Sequence, residues 1–599
     1  MAHKGGNFGK ILDIDLSSGK VSTKTFDEAL ARKFIGGTGL ATYYLYTEVP
    51  KGTDPMSPAN LLIFASGPLC GTECPGNRLS VNFKSPISGG LGNAYVGGGV
   101  SSEMKFAGWD MVIIRGKAPK LSYISVHDDK VEIRDASALA GKDTYETEEM
   151  IKEEIKDPDA KCLVIGPAGE NLVPLACIIS ERFKAAARLG SGAVMGSKNL
   201  KGFAVRGTGF VPVAQPEAFH AAADDALAQN AANDRAPGFR QFGTAISLDQ
   251  NGWYADTLAT RNYQTGYYPD VANMGSEEAA RTFWQKHAAC PGCQIHCMKF
   301  GVLRGVEKFE GLVAEGPEYE SGVMEGSNIG MSALEESMPL IELCDALGID
   351  NVGSGNAVSF TMELVQRGIL KADDLDGIDA QFGNFEAAYK LFEAIAYKKG
   401  KAGALLGKGT WAMAQEIGGD APKYMCAARK QGIAAWDPRT SRGMLPTYAL
   451  GPRGGVHTDG ASAKGIADRV VSSSCCLCYF IHGTWGAKTN SNIMAMLNTL
   501  CGYTINDAEY ETLGKRIITL QRAYSHREAG DNRQSDMPFA RVYEPMPEGP
   551  KAGAKWTPEE VKKLQDDYYA YFGWDDNGVP TEACLKKLGL DFCLDSIKG

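Results

Sequence analysis

The sequence has no run of eighteen or more apolar residues, so nothing in it reads as a membrane-spanning helix. Its start, MAHKGGNFGKILDIDL, lacks a cationic stretch followed by an apolar one, so no secretory signal is expected. Basic residues are not in excess: 62 Lys and Arg stand against 72 Asp and Glu, a formal net charge of -10. That balance argues against nucleic-acid binding as the main task and suits solubility or a small electron-carrier partner. Histidines number only eight, which narrows the choice of a catalytic imidazole. Internal repeats and low-complexity segments are absent. The fifteen cysteines are scattered and odd in number, which fits a reducing cytoplasm better than a secreted disulfide scaffold.

What is present points to an ordinary globular enzyme, with 44% hydrophobic and 22% charged residues. A chain of 599 residues exceeds one core, so two to four domains are expected. The first 210 residues look strand-rich. KILDIDLSSGKVSTKTF holds two alternating runs around a Ser-Ser-Gly turn, and LSYISVHDDKVEIRDAS continues the style. TYETEEMIKEEIK adds a helical pattern, making this part α+β. Pro212 and Pro216 mark a boundary. Beyond it, PEAFHAAADDALAQNAAND, AVSFTMELVQRGIL and FEAAYKLFEAIAYKKG have helical period. A softer boundary near EIGGDAPKYM gives three expected domains: 1–210, 211–420 and 421–599.

CPGCQIHC carries the sharpest chemical signal, with Cys290, Cys293 and Cys297 at x2 and x3 spacing. Thiolates at this spacing suit an iron–sulfur cluster or zinc. A zinc knuckle would bring a second close pair, and enzymes that cleave S-adenosylmethionine use the reverse order. Candidates for a fourth ligand are Cys501 and the trio Cys475, Cys476 and Cys478, which could equally be small buried residues.

Several stretches together resemble the tungsten-containing aldehyde:ferredoxin oxidoreductase family. They are FIGGTGL, NLLIFASGPLCGT, KFAGWDMVIIRGKAP, GSGAVMGSKNLKG, the cysteine knot, GPEYES, CDALGIDNVGSGNA, WDPRTSRGM, RGGVH and YFGWDDNGVPTEACLKKLGL, in the expected order over nearly the whole chain. The resemblance implies an N-terminal β-rich domain serving as base for a metal-pterin, followed by two mostly helical domains. It implies a tungsten bis-pterin, with molybdenum as the alternative metal, and a magnesium ion bridging the pterin phosphates. It also implies one [4Fe–4S] cluster on Cys290, Cys293, Cys297 and, about two hundred residues on, Cys501.

For the pterins, SGGLGNAYVGGG is expected to offer a backbone nest, naming Gly92, Asn93, Tyr95 and Gly97. Arg78 and Arg188 match cofactor-contacting cations. Asp345 and Asp350 match a D-x-x-G-L-D motif whose carboxylates accept ring N–H groups, and Gly348 also reads as a helix cap. The second motif, D-x-x-G-L-C, falls on Met496, Thr499, Leu500 and Cys501, without its carboxylate and glycine. PLIE stands where relatives with an iron-bridged dimer have E-x-x-H, so no such bridging metal is expected.

The catalytic pair implied is Glu318, with Glu320 as fallback, and His457. An acid in a dry pocket can take a proton from water at an aldehyde carbon, and the imidazole can stabilise charge on the carbonyl oxygen. The expected reaction takes an aldehyde to its carboxylic acid, or the reverse. Electrons would pass to ferredoxin or a ferredoxin-like iron–sulfur subunit, in a homodimer or larger complex. Two rivals are the catalytic subunit of an aromatic acyl-CoA reductase of the benzoyl-CoA type and a non-enzymatic iron–sulfur electron-transfer subunit.

Overall fold

The computed structural model describes residues 3–597, without the side chains of 252–254. Its two large sheets lie entirely within the first third of the chain. β1 (Lys10–Asp15), β2 (Lys20–Thr25), β3 (Leu62–Ala65), β4 (Leu79–Lys84), β5 (Leu91–Val96) and β6 (Met111–Arg115) form one six-stranded sheet, ordered β2-β1-β6-β3-β4-β5. β7 (Ser122–His127), β8 (Lys130–Asp135), β9 (Lys161–Val164), β10 (Ile178–Ser180), β11 (Lys184–Ala186) and β12 (Leu200–Arg206) form the second, ordered β11-β10-β9-β12-β7-β8. The hairpin read from the Ser-Ser-Gly turn is β1–β2, with Asp15 opposite Lys20.

Period-two alternation decides how the layers stack. Leu12, Ile14, Leu79, Val81, Ala94 and Val96 turn inward and meet Ile124, Val126, Leu163 and Phe203 of the second sheet. The opposite face of the first sheet, with Ile11, Ile63, Met111 and Ile113, packs under the helices Gly37–Glu48, Ala463–Ser474, Asp507–Ala529 and Pro558–Phe572. Helix Thr144–Ile155, started by a capping box of Asp143 and Glu146, covers the far side of the second sheet.

After Arg206 the chain is mostly helical, apart from a three-stranded sheet over residues 284–315 and one two-residue pair. The three helical patterns read from sequence are helices Pro216–Ala232, Asn351–Gln366 and Phe385–Tyr397. The molecule is therefore α+β, sheet-rich first and helical afterwards, as expected. Among the described residues no helix is long and apolar enough to cross a membrane.

Candidate active site

The β4–β5 end of the first sheet carries buried polar side chains on the face opposite its core. On β5, Gly92 turns inward against Phe83, while Asn93 and Tyr95 turn outward. Asn93 Nδ2 donates to Asn82 Oδ1 at 2.7 Å and Ser80 Oγ at 3.0 Å. The backbone nest expected over Gly92–Gly97 is corrected: Leu91–Val96 is an edge strand, so alternate amides bond β4 and the segment is extended rather than curled into a nest. The glycines after the strand are free to meet a ligand. Gly98 N–H donates to Cys290 Sγ at 3.2 Å.

Above this platform lies a cavity of about 340 Å3, within the ~300–1,000 Å3 range of small-molecule sites. Its walls bring together Arg78, Tyr95, Gly97, Arg188, Asp345, Asp350, Glu318, His457, Cys290, Cys293 and Cys297. A larger surface depression of about 1010 Å3, lined by residues such as Phe26 and Tyr43, lies away from all of these.

Two expected residues are not there. Leu500 and Cys501 end helix Thr489–Cys501 in the apolar cluster that also backs Cys293, Cys297 and Cys478, but off the cavity wall, where the Cys501 thiol packs against Gly6 near Lys105. The thiol that faces Cys290, Cys293 and Cys297 across the cavity is Cys478. The D-x-x-G-L-C motif is thereby re-registered onto Ser473, Cys476, Leu477 and Cys478. Cys476 has φ 58°, the left-handed conformation that a glycine at its position adopts freely. Backbone bonds hold this segment to the N-terminal part: Arg78 N–H donates to Cys476 O at 2.8 Å and Cys478 N–H to Gly76 O at 2.7 Å. The Leu-Cys pair of SSSCCLCYF was the signal available in sequence, but Leu500-Cys501 offers the same pair.

The four thiols border a space, and no three His, Cys, Asp or Glu side chains among the described residues close on a single ion. Burial acts to raise the Cys478 thiol, but Arg78, the Phe480 and Ile481 amides and Arg469 outweigh it and lower its pKa. Burial pushes Cys293 up to about 11 and raises Cys290 and Cys297 as well.

Both expected carboxylates line the cavity, and they differ in their partners. Glu318 caps helix Tyr319–Met324, and its Oε2 accepts a hydrogen bond from Thr244 Oγ1. Glu320, one turn in, reaches His457: Nδ1 lies 3.2 Å from Glu320 Oε1. Ala435 N–H, just before WDPRTSRGM, donates to Glu320 Oε2 at 2.8 Å. Burial raises Glu320 to about 7, with Asp350 adding to the rise and Ala435 and Arg188 opposing it. Burial lowers His457 to about 3, helped by Arg453, Arg188 and Arg78. The 17% and 30% of these side chains left uncovered face the cavity. His457 is aimed by Gly454 and Gly455, at φ 65° and 60°; a Cβ on Gly455 would stand 2.8 Å from Gly432 O.

Among the buried polar atoms without partners, two groups lie beside open spaces. Arg188 Nε, Asp350 Oδ1 and Asn351 Nδ2 form one, where Arg188 also bonds Asp350, Gly432 O and Gly455 O. Arg469 Nε, Asp459 Oδ2 and Gln521 Oε1 form the other, around a smaller space lined by Asn93, Tyr95, Arg453 and Ser473. Arg453 stands over the Tyr95 ring at 5.4 Å between them. Buried orphans of both kinds, cations and acceptors, call for a polar ligand or water to satisfy them; the first set borders the 340 Å3 cavity, the second a space of only about 10 Å3. Lys184 and Glu315, 3.5 Å apart, line the cavity as well and were missed in sequence.

Residues 11–207 match the family described as aldehyde ferredoxin oxidoreductase, N-terminal domain, and residues 221–590 match domains 2 and 3 of the same family. The chain belongs to the aldehyde ferredoxin oxidoreductase family. It is 34% identical to the tungsten-containing aldehyde ferredoxin oxidoreductase of Pyrococcus furiosus, covering 98% of this chain and 99% of that one. It is also 34% identical to the aliphatic sulfonate oxidoreductase, WOR-like subunit, of the same organism, covering 97% of each. Among solved structures, the active site complex BamBC of benzoyl coenzyme A reductase superposes with a TM-score of 0.83 at 25% identity, over 99% of this chain and 98% of that one. Membership makes this protein an oxidoreductase and implies a tungsten–pterin cofactor, for which the orphaned polar sets provide a fitting frame.

Proposed function

We propose that this aldehyde ferredoxin oxidoreductase family member oxidises aldehydes to carboxylic acids: R–CHO + H2O gives R–COOH + 2 H+ + 2 e−. The observation that carries the reading is the Glu320–His457 pair, poised on the cavity wall between the four thiols and the two orphaned polar sets.

Arg188, Asp350 and Asn351 would hold one pterin, and Arg469, Asp459 and Gln521 the other, with Tyr95 and Arg453 between them. Cys290, Cys293, Cys297 and Cys478 would hold a [4Fe–4S] cluster. When bound, the tungsten–pterin supplies the two-electron acceptor and the cluster a one-electron exit. Ionised Glu320 takes a proton from the water that adds to the aldehyde carbon. Neutral His457, aimed by its glycine turn, carries a single N–H, which on Nε2 would donate to the carbonyl oxygen as charge develops there. The buried walls keep bulk water from the reacting carbon.

The superposition on the benzoyl coenzyme A reductase complex supports a second reading, a subunit that reduces aromatic acyl-CoA. Metal analysis and paired assays separate the two. Tungsten, about four irons and viologen reduction by aldehydes are expected; activity restricted to aromatic acyl-CoA supports the second reading. Iron without tungsten, molybdenum or pterin would reduce the protein to an electron relay.

A further inference from the structure

In a chain with 72 acidic residues, about one in eight, the segments carrying the thiols contain none. No Asp or Glu occurs from Trp284 to Val306, nor from Arg469 to Asn506, nor from Arg235 to Leu248. These three segments meet in space. Arg240 donates to Gln294 O at 3.3 Å, the Phe239 and Phe480 rings lie 5.3 Å apart, and Ile295, Cys293 and Cys478 share one apolar cluster with Phe480 and Ile481. The result is a surface to which these three segments contribute no carboxylate; Glu181, paired with Lys161, stands at its edge beside Gly98 and Gly99.

That surface is open and cationic. Pro291 and Gly292, between two of the thiols, are exposed, as are His287, His296 and Gly483. Exposed Lys286, Arg240, Arg235 and Lys488 border it, and none has a carboxylate within ion-pairing distance among the described residues; Asp234 and Glu307 stand only at the margins. Exposed lysines elsewhere include ones paired with carboxylates, as in Lys562–Asp566 and Lys563–Asp567 at 2.6 and 2.7 Å, and unpaired ones such as Lys20 and Lys117. The seven-residue helix Tyr479–Trp485, about 10 Å long, separates Cys478 from the Lys488 turn, so the patch fits within an ordinary footprint of ~800 Å2 per partner.

We propose that this patch is the docking surface for a small acidic one-electron iron–sulfur protein, which would seat its own cluster over the 290–293 turn. Concentrating unpaired cations where the electron leaves steers an anionic carrier to the exit while the net negative charge of the rest repels it from other approaches. The proposal deepens the aldehyde-oxidising function and rests on its electron exit at the thiols.

The test uses the full-length, metal-loaded enzyme and the double variant Lys286→Glu/Lys488→Glu, whose side chains make no bond to the cavity. Lys20→Glu/Lys117→Glu, at the opposite end of the first sheet, serves as control. With an acidic [4Fe–4S] ferredoxin as acceptor, the double variant is expected to raise KM at least tenfold and flatten its salt dependence. The rate with benzyl viologen should stay within twofold. An unchanged ferredoxin KM, or an equal rise in the control, overturns the proposal. Ferredoxin binding by interferometry measures the contact without turnover: a tenfold weakening supports the surface and no weakening overturns it. Loss of aldehyde activity in the wild type would instead sink the functional reading alone.

Discussion

At the scale of single residues, Glu318 and Glu320 show how little separates a carboxylate tied to Thr244 from one that faces the imidazole. They share one segment, but a helix start rotates the second onto the His457 side, where Ala435 N–H and burial set its proton affinity. Because burial raises the Glu320 pKa to about 7, its base form grows as pH rises through 7. The kcat/KM for aldehyde should therefore rise through that range, and Glu320→Gln should lower it ~10^2–10^4-fold and remove the rise. Glu318→Gln should keep the profile. Thiol assignments are tested in parallel by iron content and electron paramagnetic resonance. Cys478→Ser should lose the cluster signal. Cys501→Ser should keep it while lowering stability by about 1–3 kcal/mol, since a hydroxyl replaces a thiol at 1% exposure in an apolar core.

At the scale of elements, turns and short backbone bridges place the chemistry, and the regular elements carry them. Two consecutive left-handed glycines aim His457, so Gly455→Ala pushes its Cβ against the Gly432 and Gln431 carbonyls. That variant should fold with about 1–3 kcal/mol less stability and lose aldehyde turnover with little change in iron content. Regular elements were legible in sequence because their periods are local: the β1–β2 hairpin, the helix over Thr144–Ile155 and the helix over Phe385–Tyr397 all follow from spacing and caps. The register of D-x-x-G-L-C was not. Two Leu-Cys pairs compete, and only the bonds from Arg78 to Cys476 and from Cys478 to Gly76 choose between them.

At the scale of the whole molecule, the site exists only while the sheet platform and the late helices stay together. Lys84 of β4 and Glu528 of helix Asp507–Ala529 make a 2.5 Å ion pair at 4% and 0% exposure across that junction. Lys84→Ala leaves Glu528 buried with Arg527 and the Gly52 N–H as its remaining partners. Removing one member of a buried pair costs about 3–5 kcal/mol, so calorimetry should show a lower Tm and gel filtration a more expanded, pterin-poor protein.

Local pattern by itself determined the α+β order and the three clustered thiols, because each depends on neighbours within a few residues, whereas Asp345, Asp350 and the candidate His457 came from the resemblance of whole stretches to the family. Tertiary structure alone decided that Cys478 and not Cys501 faces those thiols, that Glu320 and not Glu318 meets the imidazole, and that Arg469, Asp459 and Gln521 converge. Those choices depend on which surfaces of distant segments pack together, and packing is a property of the assembled cores that no window along the chain contains.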